Sequence, residues 1–266
     1  MTGGDGKVDA LVIGAGPAGL MAAETMAARG LRVVVAEAKP SIGRKFLMAG
    51  KSGLNITKDE ALPNFASHYD TDWLAPMLAE FGPEQVQDWC RALGVDVFTG
   101  SSGRVFPVSM KGSPLLRAWA ARLAAQGVEV RTRWRWTGFD GDGFAFDTPQ
   151  GRTVLHPPKT VLALGGASWP RLGSDAAWVP WLRERGVQIT PLRPANMGFG
   201  VDWSAHMARH FGTAIKGSTR ELMLTAPPSM VAQRLSGPSW VAAMATPLAR
   251  SMLEPPPTAI KPSQHC

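Results

Sequence analysis

The sequence predicts an α/β protein organised on a parallel sheet, and three observations carry that prediction. A short apolar run, Val8 to Ile13, leads directly into Gly14-Ala-Gly16-Pro-Ala-Gly19. A stretch of helix formers, Ala18 to Arg29, is closed by Gly30 and followed by a second apolar run, Leu31 to Ala36, that ends on Glu37. Much later a third apolar run, Thr160 to Leu164, enters another glycine pair, Gly165-Gly166. Strands covered on both faces read as near-continuous apolar runs, whereas half-exposed strands alternate.

Composition narrows the class. The 266 residues allow one large domain or up to two ordinary ones at about 150 residues each. Apolar residues at 45% against 18% charged are ample for a packed core and exclude a disordered chain. Two cysteines, Cys90 and Cys266, exclude a disulfide scaffold and a cysteine-rich zinc module. The histidines His68, His156, His206, His210 and His265 are scattered and predict no metal site. His206 and His210, spaced four apart, lack the surrounding pattern of a zinc protease and read as a solvated helix face.

The formal charge of +7 is dispersed and chooses no partner. In Arg131-Thr-Arg-Trp-Arg-Trp136 the period of two predicts one strand, with arginines on a solvated face and tryptophans on a buried one. Neither nucleic acid nor membrane is expected as a partner. The N-terminus lacks the features of a secretory signal, and Ala10 to Ala23 is too short and too glycine-broken for a span of about 20 residues. A cytoplasmic location is the expectation.

The first forty residues have the form of a βαβ phosphate cradle. Gly14 permits the tight turn, Gly16 lets backbone approach a diphosphate, and Gly19 lets the helix pack against the strand. The helix N-terminus offers N–H groups and a positive dipole end. Glu37 is placed to accept hydrogen bonds from a ribose diol and would repel a 2′-phosphate, which points to FAD or NAD rather than NADP. A glycine- and lysine-rich segment, Gly43 to Thr57, is too irregular for a long element and reads either as a mobile polar loop or as a loop closing over the cofactor. A mostly helical stretch from about Asp72 to Leu93 follows, with Cys90 as a small apolar filler. Then come an amphipathic helix, Pro114 to Gln126, and strands from Val128 to Phe146 joined by the turn Asp140-Gly-Asp-Gly143.

Taken together, the runs GAGPAGL…E (Gly14 to Glu37), GRKFLMAGKSGLNIT (Gly43 to Thr57), GRVFP (Gly103 to Pro107) and LALGGASWPRLGSD (Leu162 to Asp175) resemble the BaiN-like flavoproteins, also called the aminoacetone oxidase family. The resemblance spans about residues 8 to 212. It implies an FAD-binding Rossmann-like domain of the glutathione-reductase type, interrupted by a smaller substrate domain that is incomplete here. The expected division is residues 1–192 for the nucleotide-binding domain and 193–266 for the remainder. By the same resemblance, Gly14, Ala15, Gly16 and Gly19 would hold the diphosphate, and Glu37 with Ala38 the adenosine ribose. Lys45, Gly50, Gly53 and Asn55 would line the loop near the flavin. Val130 or Trp136 would reach the adenine. Ala163, Gly165 and Gly166 would make the second glycine contact. Where many relatives carry Arg-Cys-Asn, this chain reads Gly53-Leu54-Asn55, so any role of that cysteine is absent.

From Thr213 the resemblance dissolves. Residues 213–266 carry eight prolines, and the expectation is that a frameshift or premature end replaced the family's continuation. The expected activity is that of an FAD-dependent oxidoreductase: hydride passes from NAD(P)H, or an amine or alcohol donor, through the flavin to a small organic acceptor or O2. The alternative is an inactive, truncated FAD-binding remnant. Lys45 and Lys51 are candidates for acid–base work only by location, no catalytic residue is assigned, and the oligomeric state is left open.

Overall fold

The computed structural model describes residues 8–51, 53–69, 71–193 and 205–210. The chain divides into two compact units, and all the strands among the described residues lie in the first, whose described part ends at residue 191. Of the second unit, residues 192–235, the described part includes one 3-10 turn, Ala205–His210, on which His206 is exposed. The expected substrate domain and the proline-rich tail otherwise lie outside the described residues.

The chain opens with β1 (Ala10–Ile13), α1 (Pro17–Ala27) and β2 (Val33–Glu37). Proline at the first helical position has a preset φ and lacks only an N–H that would be orphaned anyway. Then come α2 (Arg44–Ala49), β3 (Thr57–Lys58), α3 (Leu62–Ala66), α4 (Ala75–Glu80) and α5 (Pro83–Ala92). The mostly helical stretch expected over about 72–93 is a 3-10 turn, Asp72–Leu74, followed by α4 and α5, which part where Gly82 leaves helical geometry and Pro83 starts a new first turn. After β4 (Val97–Thr99) and β5 (Arg104–Pro107), α6 (Gly112–Ala125) crosses back to β6 (Glu129–Thr132). An antiparallel meander of β7 (Arg135–Asp140), β8 (Gly143–Thr148) and β9 (Gly151–Leu155) precedes β10 (Thr160–Leu162) and α7 (Val179–Glu184).

The main sheet has the order β10-β1-β2-β6, with every pairing parallel. Its two faces are sorted by the period of the strand. Ala10, Val12, Val33 and Val35 face helices, packing with Leu20 and Met26 of α1, Val86 of α5 and Leu115, Trp119 and Leu123 of α6. Leu11, Ile13, Val34 and Ala36 face the meander through Trp136 and Phe146. A parallel sheet must be covered on both sides, and here helices cover one side and a small sheet the other. Among the described residues no helix is long and apolar enough to cross a membrane.

The helical face carries a half-buried polar knot. The Glu24 carboxylate accepts hydrogen bonds from Trp119 Nε1 at 2.6 Å, Trp89 Nε1 at 3.3 Å and Arg122 Nη1 at 3.0 Å, which ties α1 to α5 and α6. Cys90 is fully buried in the same cluster, and burial pushes its thiol up to about 12, as suits a filler rather than a nucleophile.

The single strand expected over Arg131–Trp136 is two strands in two sheets. Arg133 sits at φ 59°, its N–H bonds Lys39 O at 3.1 Å, and the Trp134 N–H bonds Glu37 O at 2.9 Å. These bonds peel the chain off the end of β2 and turn it into the meander. Arginines and tryptophans therefore do not form one continuous two-faced ribbon, although Arg133 and Arg135 are exposed and Trp136 is buried.

Candidate dinucleotide-binding site

The site is built at the C-terminal ends of β1, β2 and β10, where the parallel strands deliver their loops to one edge. Gly14, at φ +104°, has no room for a side chain: a Cβ there would stand 2.4 Å from Ala163 O. At Gly19 a Cβ would stand 1.8 Å from Gly14 O and 3.0 Å from Val12 Cγ1, so the first turn of α1 lies directly on the loop that precedes it. Ala163 in turn donates its N–H to Ile13 O at 2.8 Å, which fixes the loop after β10 against the loop after β1.

Gly16 differs. It caps α1 with φ −76° and ψ 176°, a conformation open to any residue, and nothing lies within 4 Å of where its Cβ would be. Gly166 likewise has no left-handed φ and nothing within 4 Å of where its Cβ would be. Every other described glycine with open space has a positive φ, as turns require, or else meets neighbouring atoms. Gly16 and Gly166 are therefore the two described glycines that combine a φ outside the left-handed region with empty space where a Cβ would be. Both lie on the loops that flank the cradle. Residues there fit a dinucleotide whose diphosphate must come within contact distance of backbone.

Glu37 ends β2 and holds the cradle from beside it. Its Oε2 accepts the Ala15 N–H at 2.8 Å and its Oε1 the Lys39 N–H at 2.8 Å. A carboxylate has about four acceptor positions, so capacity remains for a ribose diol. The Ala15 carbonyl accepts the Gly43 N–H at 2.8 Å, which draws the start of α2 against the glycine loop. Ala38 is half-buried between Glu37 and Lys39.

The loop beyond α2, which carries Gly50, Gly53 and Asn55, packs against the start of α6 and the Met110 segment that precedes it. A Cβ at Gly50 would stand 3.2 Å from Gly112 N, and Gly53, at φ +133°, lies under the Met110 side chain. Leu54 N–H bonds Met110 O at 3.2 Å and Ile56 N–H bonds Val105 O at 2.9 Å, fixing the backbone on both sides of Asn55. The Asn55 Oδ1 is buried with no hydrogen-bond partner among the described residues, an acceptor that a ligand could satisfy. Lys51 is exposed, while the Lys45 ammonium is half-buried and donates to Ser168 Oγ at 2.9 Å and Ser174 Oγ at 3.3 Å. Burial moves Lys45 below the ordinary lysine range.

The two adenine candidates part company. Val130 lies on β6, the sheet edge beside β2, and is 36% exposed. Trp136 is 5% exposed, stacked edge-on against Phe139 and Trp181 in the core under the sheet, so its side chain acts there as packing. Sequence reasoning passed over Ser168, Ser174 and Trp178. Trp178 Nε1 bonds Gly165 O at 3.0 Å and Ser174 Oγ bonds Gly166 O at 2.8 Å, so both carbonyls of the second glycine pair are engaged by the residues that follow. The signal was present in the run Gly165 to Asp175, where small hydroxyl residues follow the glycines.

Comparison with known proteins agrees with this architecture. The curated ribosomal RNA dihydrouridine synthase of Escherichia coli (strain K12) is 26% identical over 193 residues, covering 73% of this chain and 48% of that protein. The chain thus spans about half the length of that relative. The open conformation of a flavocytochrome c3 fumarate reductase superposes with a TM-score of 0.50 at 20% identity, over 68% of this chain and 41% of the other, a likeness of fold. THI4 of Thermovibrio ammonificans matches with a TM-score of 0.44 at 18% identity, over 68% and 64%. The description "HI0933-like protein Rossmann domain" fits residues 8–243, past Gly212, where the motifs had been expected to give out. With a parallel Rossmann-like sheet, a glycine cradle in register and a family match over most of its length, the chain belongs to the HI0933-like family.

Proposed function

We propose that this chain binds FAD between its two glycine loops and belongs to an FAD-dependent oxidoreductase of the BaiN-like type. The observation that carries the reading is Gly16, whose side-chain position is kept open by neither backbone strain nor packing, at the N-terminus of a helix and beside a ribose-placed acid. FAD, when bound, would supply two-electron hydride chemistry, which protein side chains lack. The chain's own part is to bind and to orient. The α1 N-terminus attracts the diphosphate, Glu37 accepts from the ribose, the exposed edge at Val130 flanks the adenine, and the Gly50–Asn55 loop walls the opposite end.

The proposed donor is NAD(P)H or an amine or alcohol, and the proposed acceptor a small unsaturated molecule or O2, in a cytoplasmic protein. One relative favours a second reading. The E. coli protein named above is a synthase of dihydrouridine in ribosomal RNA, and reduction of a pyrimidine double bond is hydride chemistry of the same kind.

The test begins with the visible spectrum of the full chain reconstituted with FAD. Stoichiometric flavin bands support the cofactor assignment, and a chain that stays colourless at saturating FAD overturns it. Bleaching by NADH or NADPH under anaerobic conditions then tests the donor. Salt-sensitive binding of a ribosomal RNA fragment, followed by loss of its uridine absorbance, would select the second reading over the first.

A further inference from the structure

We propose that α7 is a strut for the second glycine loop: Trp178 aims the Gly166 N–H at the bound dinucleotide, and Trp181 and Arg185 hold Trp178 in place from the antiparallel meander. The inference rests on the FAD reading and adds to it a set of positioning residues that act on the cofactor only through the protein.

The loop end of the strut is governed by peptide geometry. In a trans peptide the carbonyl and the following N–H point in opposite directions, and no cis peptide occurs among the described residues. The Gly165 carbonyl accepts the Trp178 indole N–H at 3.0 Å, so the Gly166 N–H is turned away from the indole. The Gly166 carbonyl accepts Ser174 Oγ at 2.8 Å and the Ala176 N–H at 3.2 Å, which turns the Ala167 N–H away from those groups in the same manner. Neither N–H donates to an acceptor among the described residues. Gly165 sits at φ +69°, and a left-handed residue followed by free N–H groups is the backbone form that cradles an anion. Trp178 is thus a positioning residue: it touches a carbonyl and thereby orients a donor.

The other end is set by helical spacing. Trp178 caps the start of α7 and Arg185 its end, and with Trp181 between them the three are spaced three and four apart, on one helix face. At 1.5 Å per residue that face spans about 10 Å. Trp181 stands edge-on to Trp136 with ring centroids 5.0 Å apart, and Gly138, at φ +117°, lies against its indole, where a Cβ would stand 3.4 Å from Cγ. The Arg185 guanidinium covers the Phe139 ring at 4.4 Å and donates to Gly141 O at the tip of the β7–β8 hairpin. Trp136 is buried against Leu11, Ile13 and Val34 of the main sheet, so the meander is the fixed support. A shift of α7 along this face moves the Trp178 indole, and with it the direction of the Gly166 N–H.

The experiment is titration of the full-length chain with FAD for wild type, Trp178→Phe, Arg185→Ala and the double variant, with circular dichroism and thermal unfolding of each ligand-free protein. Phenylalanine keeps much of the bulk of the indole and removes its donor. Trp178→Phe should weaken FAD by about fivefold, the scale of one neutral hydrogen bond. Arg185 is exposed and remote from the glycine loop, and Arg185→Ala should weaken FAD by a smaller factor, about two- to threefold. Because Arg185 acts through Trp178, the double variant should bind FAD as Trp178→Phe does. A role confined to stability would lower the unfolding temperature and leave the affinity of the folded protein unchanged. Wild-type affinity in a folded Trp178→Phe therefore overturns the proposal, and so does a double variant whose loss is the product of the two single losses. Should Trp178→Phe fail to fold, Arg185→Ala carries the test, and wild-type affinity in it overturns the proposal. A wild-type chain that binds no FAD refutes the cofactor reading and takes this inference with it, whereas FAD bound equally by all four proteins refutes the strut alone.

Discussion

The two kinds of glycine in the cradle make a prediction that separates binding from folding. Gly16→Ala places a methyl where the chain itself offers no contact within 4 Å, at a φ and ψ that alanine adopts. Replacing glycine at a compatible position gains about 0.4–1 kcal/mol through the unfolded chain. Losing glycine as a helix cap costs about as much. The ligand-free variant should unfold within about 1 kcal/mol of wild type. Binding should not survive so well. At FAD one hundred times above its Kd, wild type gains about 2.7 kcal/mol, and a hundredfold weaker variant gains only about 0.4. For a unit of this size that is a rise in Tm of about 5–11 °C against under 2 °C. Gly19→Ala behaves oppositely: its methyl meets Gly14 O at 1.8 Å, a backbone atom that no rotamer change can move. The helix must shift off the strand, at about 1–3 kcal/mol or more, with or without ligand. Thermal unfolding with and without FAD reads both. A Gly16→Ala variant that keeps the full FAD-induced rise in Tm would show that nothing occupies the space in front of Gly16, and the reasoning from empty glycine positions would fall.

Three further perturbations follow from the same geometry. Glu24→Ala removes the acceptor of two indole N–H groups in the helical layer and should cost about 2–3 kcal/mol in urea unfolding, with Glu24→Gln recovering more than half; equal losses for both would mean that the hydrogen bonds are not what the carboxylate contributes. Glu37→Gln replaces an acceptor by an amide that opposes a backbone N–H, so FAD affinity should fall about tenfold or more while the ligand-free fold loses about 1–2 kcal/mol; affinity equal to wild type in a calorimetric titration would remove Glu37 from the ribose site. Cys90 titrates near 12 when folded against an ordinary 9.0, so its contribution is fully present below pH 9 and is lost as pH rises toward 12, by about 1.4 kcal/mol per pH unit. Urea midpoints of wild type should therefore drop more steeply than those of Cys90→Ala between pH 9 and 11, and parallel curves would refute the burial of that thiol.

How far the sequence could be read depended on whether a signal was local. The βαβ cradle was legible because each of its parts lies within thirty residues: an apolar strand, glycines at fixed spacing, helix formers and a terminal acid. The structure places them as β1, α1 and β2 with Glu37 on the loop. The Arg131–Trp136 stretch was misread because alternation is blind to a single residue in left-handed geometry, and the bond that forces it there, Trp134 N–H to Glu37 O, joins residues 97 apart. Likewise Lys45 could be named as a site residue, but its serine partners stand 123 and 129 positions away. Pairings of that range depend on the sheet order β10-β1-β2-β6, which no window of sequence contains.

The cradle's geometry also bears on where relatives of this chain can differ. Ala15 is held by Glu37 on one side and Gly43 on the other, Gly14 and Gly19 are locked by backbone contact, and all of these restraints come from the Rossmann layer itself. A loop ordered by the fold loses little further freedom when a ligand arrives, so its binding free energy goes into affinity rather than into ordering. The loop beyond α2 is built differently. Gly53 and Asn55 sit on a segment pinned by two backbone bonds, with Met110 at φ 58° leaning over it and Val108 exposed beside it. Such a loop can exchange side chains without disturbing the sheet. On the proposed reading, recognition of the nucleotide would rest on the rigid Rossmann layer, and a choice of acceptor could vary in this loop without disturbing the sheet.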